Sequence, residues 1–252
     1  MTLRIGIKFL CLLLLSSFLF STNAFAAPWQ FEIAPYIWGM NMRGRTSIGP
    51  ATFDVNQSFT DLLKHLDVAA MLYATAHKDQ LGFYFNGMYS SLSDNGHFYD
   101  VKVHADNQFG VFGGGISYIA FQRQLSNERA VSLEPYAGVR YTLNNSTLKL
   151  NNSSFSKNVN WTDPVIGLRF DYAFNKKWTA LLIGDIGGTN ASTHYSYSAG
   201  AFLGYQSLSW QHVKLYLGYR ILGQHYQTGS GRSFYDWDMK LYGPLLGIGF
   251  IF

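Results

Sequence analysis

The sequence predicts an all-β fold, a transmembrane antiparallel up-and-down β-barrel of about ten strands. Three observations predict this fold. Apolar side chains recur at every second position through several segments of about ten residues. Charged residues make up only 13% of the chain and aromatic residues 17%, whereas about 25% of a soluble domain is charged. The last segment keeps the alternation up to a terminal aromatic residue, Phe252.

The first 26 residues are expected to be a signal peptide that is removed on export. Arg4 and Lys8 precede an apolar run at 9–20, and Ala24-Phe25-Ala26 follows as a small-x-small cleavage site. The run is about 12 residues long, and a transmembrane helix needs about 20. An uncleaved anchor helix is the alternative, and the length of the run argues against it.

Residues 27–252 are expected to form one β domain without a cofactor. Loss of the leader removes two basic residues, so the formal charge of +4 falls to about +2, and it also removes Cys11, the only cysteine. This weak charge gives no support to a nucleic-acid partner. No stretch after residue 26 has 18 consecutive apolar residues, and the histidines lack the spacing of a zinc site.

Polar breaks divide this domain into ten predicted strands. Short breaks alternate with longer ones rich in Asn, Ser, Gly and Thr, as expected for short periplasmic turns and longer outer loops. The longer breaks lie near 44–50, 94–97, 144–158, 188–196 and 226–233. The predicted strands are 29–43, 67–78, 81–93, 98–123, 131–145, 159–174, 178–188, 196–208, 212–226 and 235–252. Eight or twelve strands are the alternatives, because strand boundaries are poorly defined by sequence.

Charged and large apolar residues fall on opposite parities of these strands. Between 166 and 174, Ile, Leu, Phe, Tyr and Phe alternate with Gly, Arg, Asp and Ala. The strands at 131–145, 178–188 and 212–226 repeat this pattern. We predict that the apolar parity faces lipid and the charged parity faces the lumen. The predicted lumen charges are Glu134, Arg140, Arg169, Asp171, Asp185, Lys214 and Arg220.

These lumen charges leave two interpretations open. They pair and plug the barrel, because an isolated charge in a narrow lumen is costly. Alternatively, they line a narrow passage that selects small solutes by charge. Arg140, Asp185 and Arg220 are expected at similar heights above the inner turns. A ten-strand barrel lies just above the eight-strand size whose lumen side chains can fill, so an open pore is not expected.

Residues 51–66 depart from the alternation. The segment 60–66 is predicted to be a short helix in the first outer loop, with Thr60 as its N-cap and an apolar stripe.

The carboxyl end carries the most specific pattern in the chain. A closing strand must present an apolar, β-prone face to lipid and pair along both edges. The pattern resembles the signal by which barrel-insertion machinery recognises its substrates. The predicted assembly-signal residues are Tyr242, Leu246, Ile248, Phe250 and Phe252.

Several short motifs are spread along nearly all of residues 27–252. They are Trp29 with Pro35-Tyr36-Ile37-Trp38, Asp61-Leu62-Leu63 with Leu66-Asp67, Asp163-Pro164-Val165-Ile166-Gly167-Leu168-Arg169, Gly184-Asp185-Ile186-Gly187-Gly188, Gly218-Tyr219-Arg220 and Gly243-Pro244-Leu245-Leu246-Gly247. Together they resemble a family of uncharacterised outer-membrane β-barrel proteins of Gram-negative bacteria. The resemblance implies a barrel in the cell outer membrane and no particular reaction. Thr189 departs from it, since an aromatic residue is expected after the Gly-Gly pair.

The expected function is therefore that of an outer-membrane barrel with a structural or surface role, or with a narrow charge-lined lumen for small solutes. We expect a monomer that contacts outer-membrane lipids and the insertion machinery. An enzyme is not expected, and the alternative is a lipid hydrolase. His194-Tyr195-Ser196 resembles the His-x-Ser of a lipid A deacylase, and two residues that lie two apart share one face of a strand. Tyr197 stands where that motif has Asn, and no acid is placed to complete a triad.

Overall fold

The computed structural model describes residues 28–98, 101–126, 128–150, 153–188 and 193–252. The predicted signal peptide, with Cys11, and Thr189 lie outside these residues. The strands are β1 Gln30–Trp38, β2 Asn41–Ile48, β3 Ala51–Gln57, β4 Leu66–Lys78, β5 Leu81–Phe98, β6 Val101–Tyr118, β7 Phe121–Gln124, β8 Ala130–Leu150, β9 Ser153–Ala173, β10 Trp178–Gly187, β11 Thr193–Gln206, β12 Val213–Thr228 and β13 Tyr235–Ile251, and the helix α1 is Phe59–Lys64. Within the described ranges, no helix has the length and apolar character needed to cross a membrane.

The strands close into one antiparallel barrel with ten positions around its ring. The order is β1, β4, β5, β6, β8, β9, β10, β11, β12, β13, and β13 pairs with β1 to close the ring. Each of these ten ring strands therefore has a hydrogen-bonding partner on both sides, which hydrocarbon requires of a sheet that crosses a membrane, whereas among the described strands β3 and β7 pair along one edge only. The predicted fold class, with ten strands, is confirmed.

The first barrel position is shared by β1 and β2, which follow one another along β13. They separate at Gly39, whose amide donates to the Pro244 carbonyl over 2.8 Å, while the indole of Trp38 donates to the Gly243 carbonyl over 3.1 Å. Beyond this break, β2 forms a hairpin with β3. The prediction of a loop at 44–50 was wrong for 44–48, because backbone pairing holds these residues in β2, and only Gly49 and Pro50 form the turn of the hairpin.

The longest outer hairpin, β8–β9, lies where a second loop was predicted. Residues 144–158 were predicted as a break, but β8 continues to Leu150 and β9 begins at Ser153. The predicted strand 98–123 is likewise two strands, β6 and the short β7. Residues 144–158 are mostly polar, so they show no apolar alternation from which a strand could be predicted. The strands form all the same, because backbone hydrogen bonds need no apolar side chains where water covers the outer face of the barrel.

The predicted helix is present as α1, but its N-cap is Ser58 rather than Thr60. The amide of Asp61 donates to the Ser58 hydroxyl over 3.2 Å, and the amide of Ser58 donates to the Asp61 carboxylate over 3.3 Å. This reciprocal pair is a capping box, which satisfies two amides that the helix itself leaves free. Leu62 packs against the apolar residues inside the outer half of the barrel, so α1 lies against the mouth of the lumen.

An apolar belt surrounds the barrel on its outside. Each of the ten positions contributes exposed apolar side chains to it, for example Ile33, Leu72, Phe83, Ile116, Val139, Leu168, Leu182, Leu203, Leu217 and Leu246. On β13 the belt runs from Phe252 to Tyr242. A span of ten residues on a strand tilted by about 40° rises about 25 Å, which is the height of the lipid-facing band in such barrels.

Gly243 provides a test of the closing strand. A Cβ at this position would overlap the carbonyl oxygen of Gly39, whereas a Cβ at Gly184 would lie 3.7 Å from its nearest neighbour, the Ser198 carbonyl oxygen. We expect Gly243→Ala to lower the free energy of unfolding by about 1–3 kcal/mol, the usual range for overpacking, and Gly184→Ala to change it little. Urea titration of protein folded in phospholipid vesicles measures both values. Equal stabilities for the two variants would contradict the tight closure.

Candidate functional site

The lumen is filled by side chains in three layers, stacked from the short turns toward the long hairpins. The inner layer centres on Arg169, which donates from Nε to Asp171 over 2.9 Å and from Nη1 to the Tyr73 hydroxyl over 3.3 Å. Glu134 lies 4.0 Å from Arg169 Nε and 2.8 Å from His77 Nε2. These contacts join β9, β8 and β4, so the inner layer spans the barrel.

A second group of the inner layer lies on β12 and β1. The Tyr216 hydroxyl donates to the Glu32 carboxylate over 2.5 Å. The ammonium group of Lys214 lies 5.3 Å from the centre of the Tyr216 ring, a cation–π distance. Lys214 therefore belongs to the same layer as Arg169 but contacts a different wall.

The middle layer contains a buried ion pair. Arg140 donates from Nη2 to Asp185 and from Nη1 to the Ser196 hydroxyl, the latter over 2.6 Å. Asp185 also accepts a hydrogen bond of 3.0 Å from Tyr136. Arg140 lies directly opposite Asp163 in the β8–β9 register, and Asp163 is fully buried. The guanidinium of Arg140 is therefore placed among acidic and hydroxyl groups from four strands.

Arg220 occupies the other side of the middle layer. Its Nη1 donates to the Tyr36 hydroxyl over 3.3 Å, and its guanidinium lies 5.2 Å from the centre of the Trp38 ring. Tyr36 in turn donates to Asn86 over 2.9 Å. In the part of the chain that the structure describes, Arg220 has no carboxylate within 4.0 Å. An aromatic face and two polar oxygens thus hold this cation.

The side chains of the inner and middle layers line a cavity of about 120 Å³. Arg140, Asp185 and Arg220 all line it, together with Glu134 and Arg169. Five of the seven predicted lumen charges therefore face one space, while Asp171 and Lys214 lie beside it in the inner layer.

The outer layer is apolar, and sequence reasoning missed it. Phe109 stacks on Trp237 with ring centres 5.6 Å apart, and Trp161 stacks on Tyr226 at 4.5 Å. The buried members of this layer are Trp38, Met40, Met42, Met88, Phe109, Val111, Val159, Trp161, Leu222, Tyr235, Trp237, Met239, Leu241 and Leu245. A signal was available on β13, where the inward parity changes from glycine to Trp237, Met239 and Leu241.

Hydrogen bonds join opposite walls within this outer layer. Asn144 on β8 donates to the hydroxyl of Tyr235 on β13 over 3.0 Å, and these strands are five positions apart in the ring of ten. Gln224 on β12 donates to Thr142 on β8 over 2.8 Å, and both side chains are fully buried. Each of these bonds brings side chains from two separate walls into contact across the lumen.

His194 and Ser196 do not share a face, so that expectation was wrong. The β11–β12 register shifts between Thr193 and Tyr195, which inserts an extra residue into the strand. As a result Ser196 is buried in the lumen, where it accepts from Arg140, while His194 is exposed and lies 3.1 Å from Gln227. These two residues are therefore not arranged as a nucleophile and its base.

The predicted assembly-signal residues lie on the outside of β13. Leu246, Ile248, Phe250 and Phe252 are exposed, and Tyr242 is half-buried. Their strand pairs with β12 on one edge and with β1 on the other. Among the described residues, no group of three or more His, Asp or Glu side chains is arranged to hold a metal ion.

No protein-family model and no curated protein sequence matches the chain. Solved structures do match. The outer membrane protease OmpT from Escherichia coli has a TM-score of 0.56 at 9% identity, over 92% of this chain and 99% of that one. The translocator domain of the autotransporter NalP from Neisseria meningitidis has a TM-score of 0.36 at 14% identity, over 98% and 95% of the two chains. At such low identity the likeness to OmpT establishes the fold alone, that of a closed antiparallel β-barrel.

Arg140 tests whether the middle layer stabilises the barrel. Arg140→Ala would leave Asp185 buried without its cation, and removal of one partner from a buried pair costs about 3–5 kcal/mol. We expect the free energy of unfolding in vesicles to fall by that amount. Arg123→Ala, which removes an exposed arginine from β7, is the control and should change the value little. Similar losses in both variants would argue against a structural ion pair.

Proposed function

We propose that the protein is an outer-membrane barrel with a sealed lumen, and that its role is structural or lies at the cell surface rather than in solute passage. The observation that carries this proposal is the hydrogen bonding between opposite walls in the outer layer, from Asn144 to Tyr235 and from Gln224 to Thr142. Solute passage would require both bonds to break.

The energetics of the outer layer support a permanently closed state. Its side chains include Trp38, Phe109 and Leu222, each almost fully removed from solvent. Exposure of one such side chain to water costs about 1.5–3 kcal/mol, and an opening would expose several together. Polar partners left unpaired in the same layer would add about 1–3 kcal/mol each. The open state would therefore be rare.

The surface role is supported by the part of the barrel wall that extends beyond the apolar belt. The β8–β9 and β2–β3 hairpins rise past the level of Tyr242, with exposed polar residues on their outer faces. This wall would stand in the external medium, with lipids around the belt and the insertion machinery bound at β13 during assembly. Because all ten positions of the ring are paired on both sides, no ring strand is left to pair with a second copy within the membrane, which favours a monomer.

Single-channel conductance in a planar bilayer tests the sealed lumen. We expect the wild-type protein to be silent. The triple variant Trp237→Ala/Arg140→Ala/Arg169→Ala trims all three layers, and we expect it to show discrete openings because water can then enter from both ends.

The matched control is Trp178→Ala/Leu203→Ala/Phe250→Ala, which removes similar bulk from the lipid-facing belt and should stay silent. Stable openings in the wild-type protein would contradict the proposal. Before recording, the folded state of each variant is checked by its mobility on gels without heating.

A further inference from the structure

Two cations face each other on the outside of the barrel, just beyond the apolar belt. Arg43 on β2 and Lys240 on β13 are direct register partners. Both side chains are exposed, and Lys240 has the outward parity of Tyr242 and Leu246. Like charges directly opposite on neighbouring strands destabilise a sheet, so this pair needs an explanation.

Among the residues that the structure describes, no carboxylate forms an ion pair with either cation. In the described chain, the side chains of Arg43 and Lys240 have neither an ion pair nor a hydrogen bond. The nearest acids on β13 have other partners: Asp238 accepts from the Tyr195 hydroxyl over 2.6 Å, and Asp236 lies 3.1 Å from His225 Nε2. Asp238 is also the register partner of Arg45, so Arg43 and Lys240 have no carboxylate of their own within 4.0 Å among the described side chains.

The position of Arg43 and Lys240 relative to the apolar belt indicates which anion can reach them. Lys240 is one outward step beyond Tyr242, about 7 Å along the strand, and Tyr242 marks the upper edge of the belt. On β12, the register partner of Lys240 is Gly223, and the ring of Tyr197 lies against this glycine. Tyrosine rings at this level are typical of the membrane–water boundary of barrels. Arg43 and Lys240 thus lie at the level of the headgroups of the outer leaflet.

We propose that Arg43 and Lys240 bind a phosphate group of a glycolipid in the outer leaflet. The planar guanidinium of Arg43 can donate two parallel hydrogen bonds to a phosphate, and Lys240 supplies a second charge across the strand pair. The phosphate converts the repulsion between the two cations into attraction by both. This site is on the outside of the barrel and does not depend on whether the lumen is sealed.

The test uses the full-length protein, purified in detergent and titrated with diphosphorylated lipid A or with the same lipid after removal of its phosphates. Native mass spectrometry measures the bound fraction. We expect the phosphorylated lipid to bind at least about tenfold more tightly, and Arg43→Gln/Lys240→Gln to abolish that preference. The control Arg123→Gln/Lys176→Gln removes two exposed cations at the short-turn end and should keep the preference.

Inorganic phosphate added in equimolar amount separates the two sources of the anion. Retention of the lipid supports the proposal, whereas its displacement would show a site for free phosphate and overturn the assignment to lipid. Equal binding of the two lipids by the wild-type protein, or an unchanged preference in the double variant, would also overturn it.

The thermal stability of the single variant Arg43→Gln gives a second readout, which does not require the double variant to fold. Without lipid, Arg43→Gln removes the repulsion between the two cations, so the thermal midpoint should rise or stay constant. With phosphorylated lipid, the same variant should unfold at a lower temperature than the wild-type protein. A purely structural role for Arg43 predicts a shift of the same sign in both conditions, and that result would overturn the proposal.

Discussion

The outer face of every long strand meets two solvents along its length, hydrocarbon first and water beyond it. The lumen side meets other side chains throughout. On β13, Leu246 and Ile248 face lipid while glycines face inward, but above Tyr242 the outward residues become Lys240 and Asp238. The large apolar residues move to the inward parity at the same point. The change of solvent therefore reverses the alternation within a single strand.

This reversal explains why the lumen changes character from layer to layer. In the membrane-embedded half, apolar groups are needed outside, and inward glycines leave room for Arg169, Arg140 and their partners. Those charges are held by carboxylates, hydroxyls and aromatic rings, because the barrel offers them little water. In the outer half, water covers the wall, so the apolar residues gather inside, as in a soluble β-sandwich. The outer layer is thus a dry core, and the layers beneath it form a polar one.

The same reversal sets what could be predicted from the sequence. Alternation predicted the strands within the membrane and put seven charged residues on the inward parity. It failed for β2, β3 and the outer part of β8, where polar residues with water outside resemble a loop. The bulge that separates His194 from Ser196 left no mark in the sequence, since it depends on pairing with β12. The bond from Asn144 to Tyr235 could not be foreseen either, because it depends on ring positions five strands apart.

The apolar outer half and the charged inner half of the lumen have different roles in closing the barrel. In the proposed sealed barrel, the apolar outer layer excludes water from the mouth, so the ion pairs below it need not resist hydration from the external medium. The helix α1 contributes Leu62 to this layer and the β2–β3 hairpin contributes Met42 and Val55, whereas the outward side chains of the hairpin, such as Arg43, are exposed. Residues on the outer wall are therefore free of the packing constraint that fixes the interior. A surface with that freedom can carry an uncompensated pair such as Arg43 and Lys240, because its cost is offset by an external partner rather than by the fold.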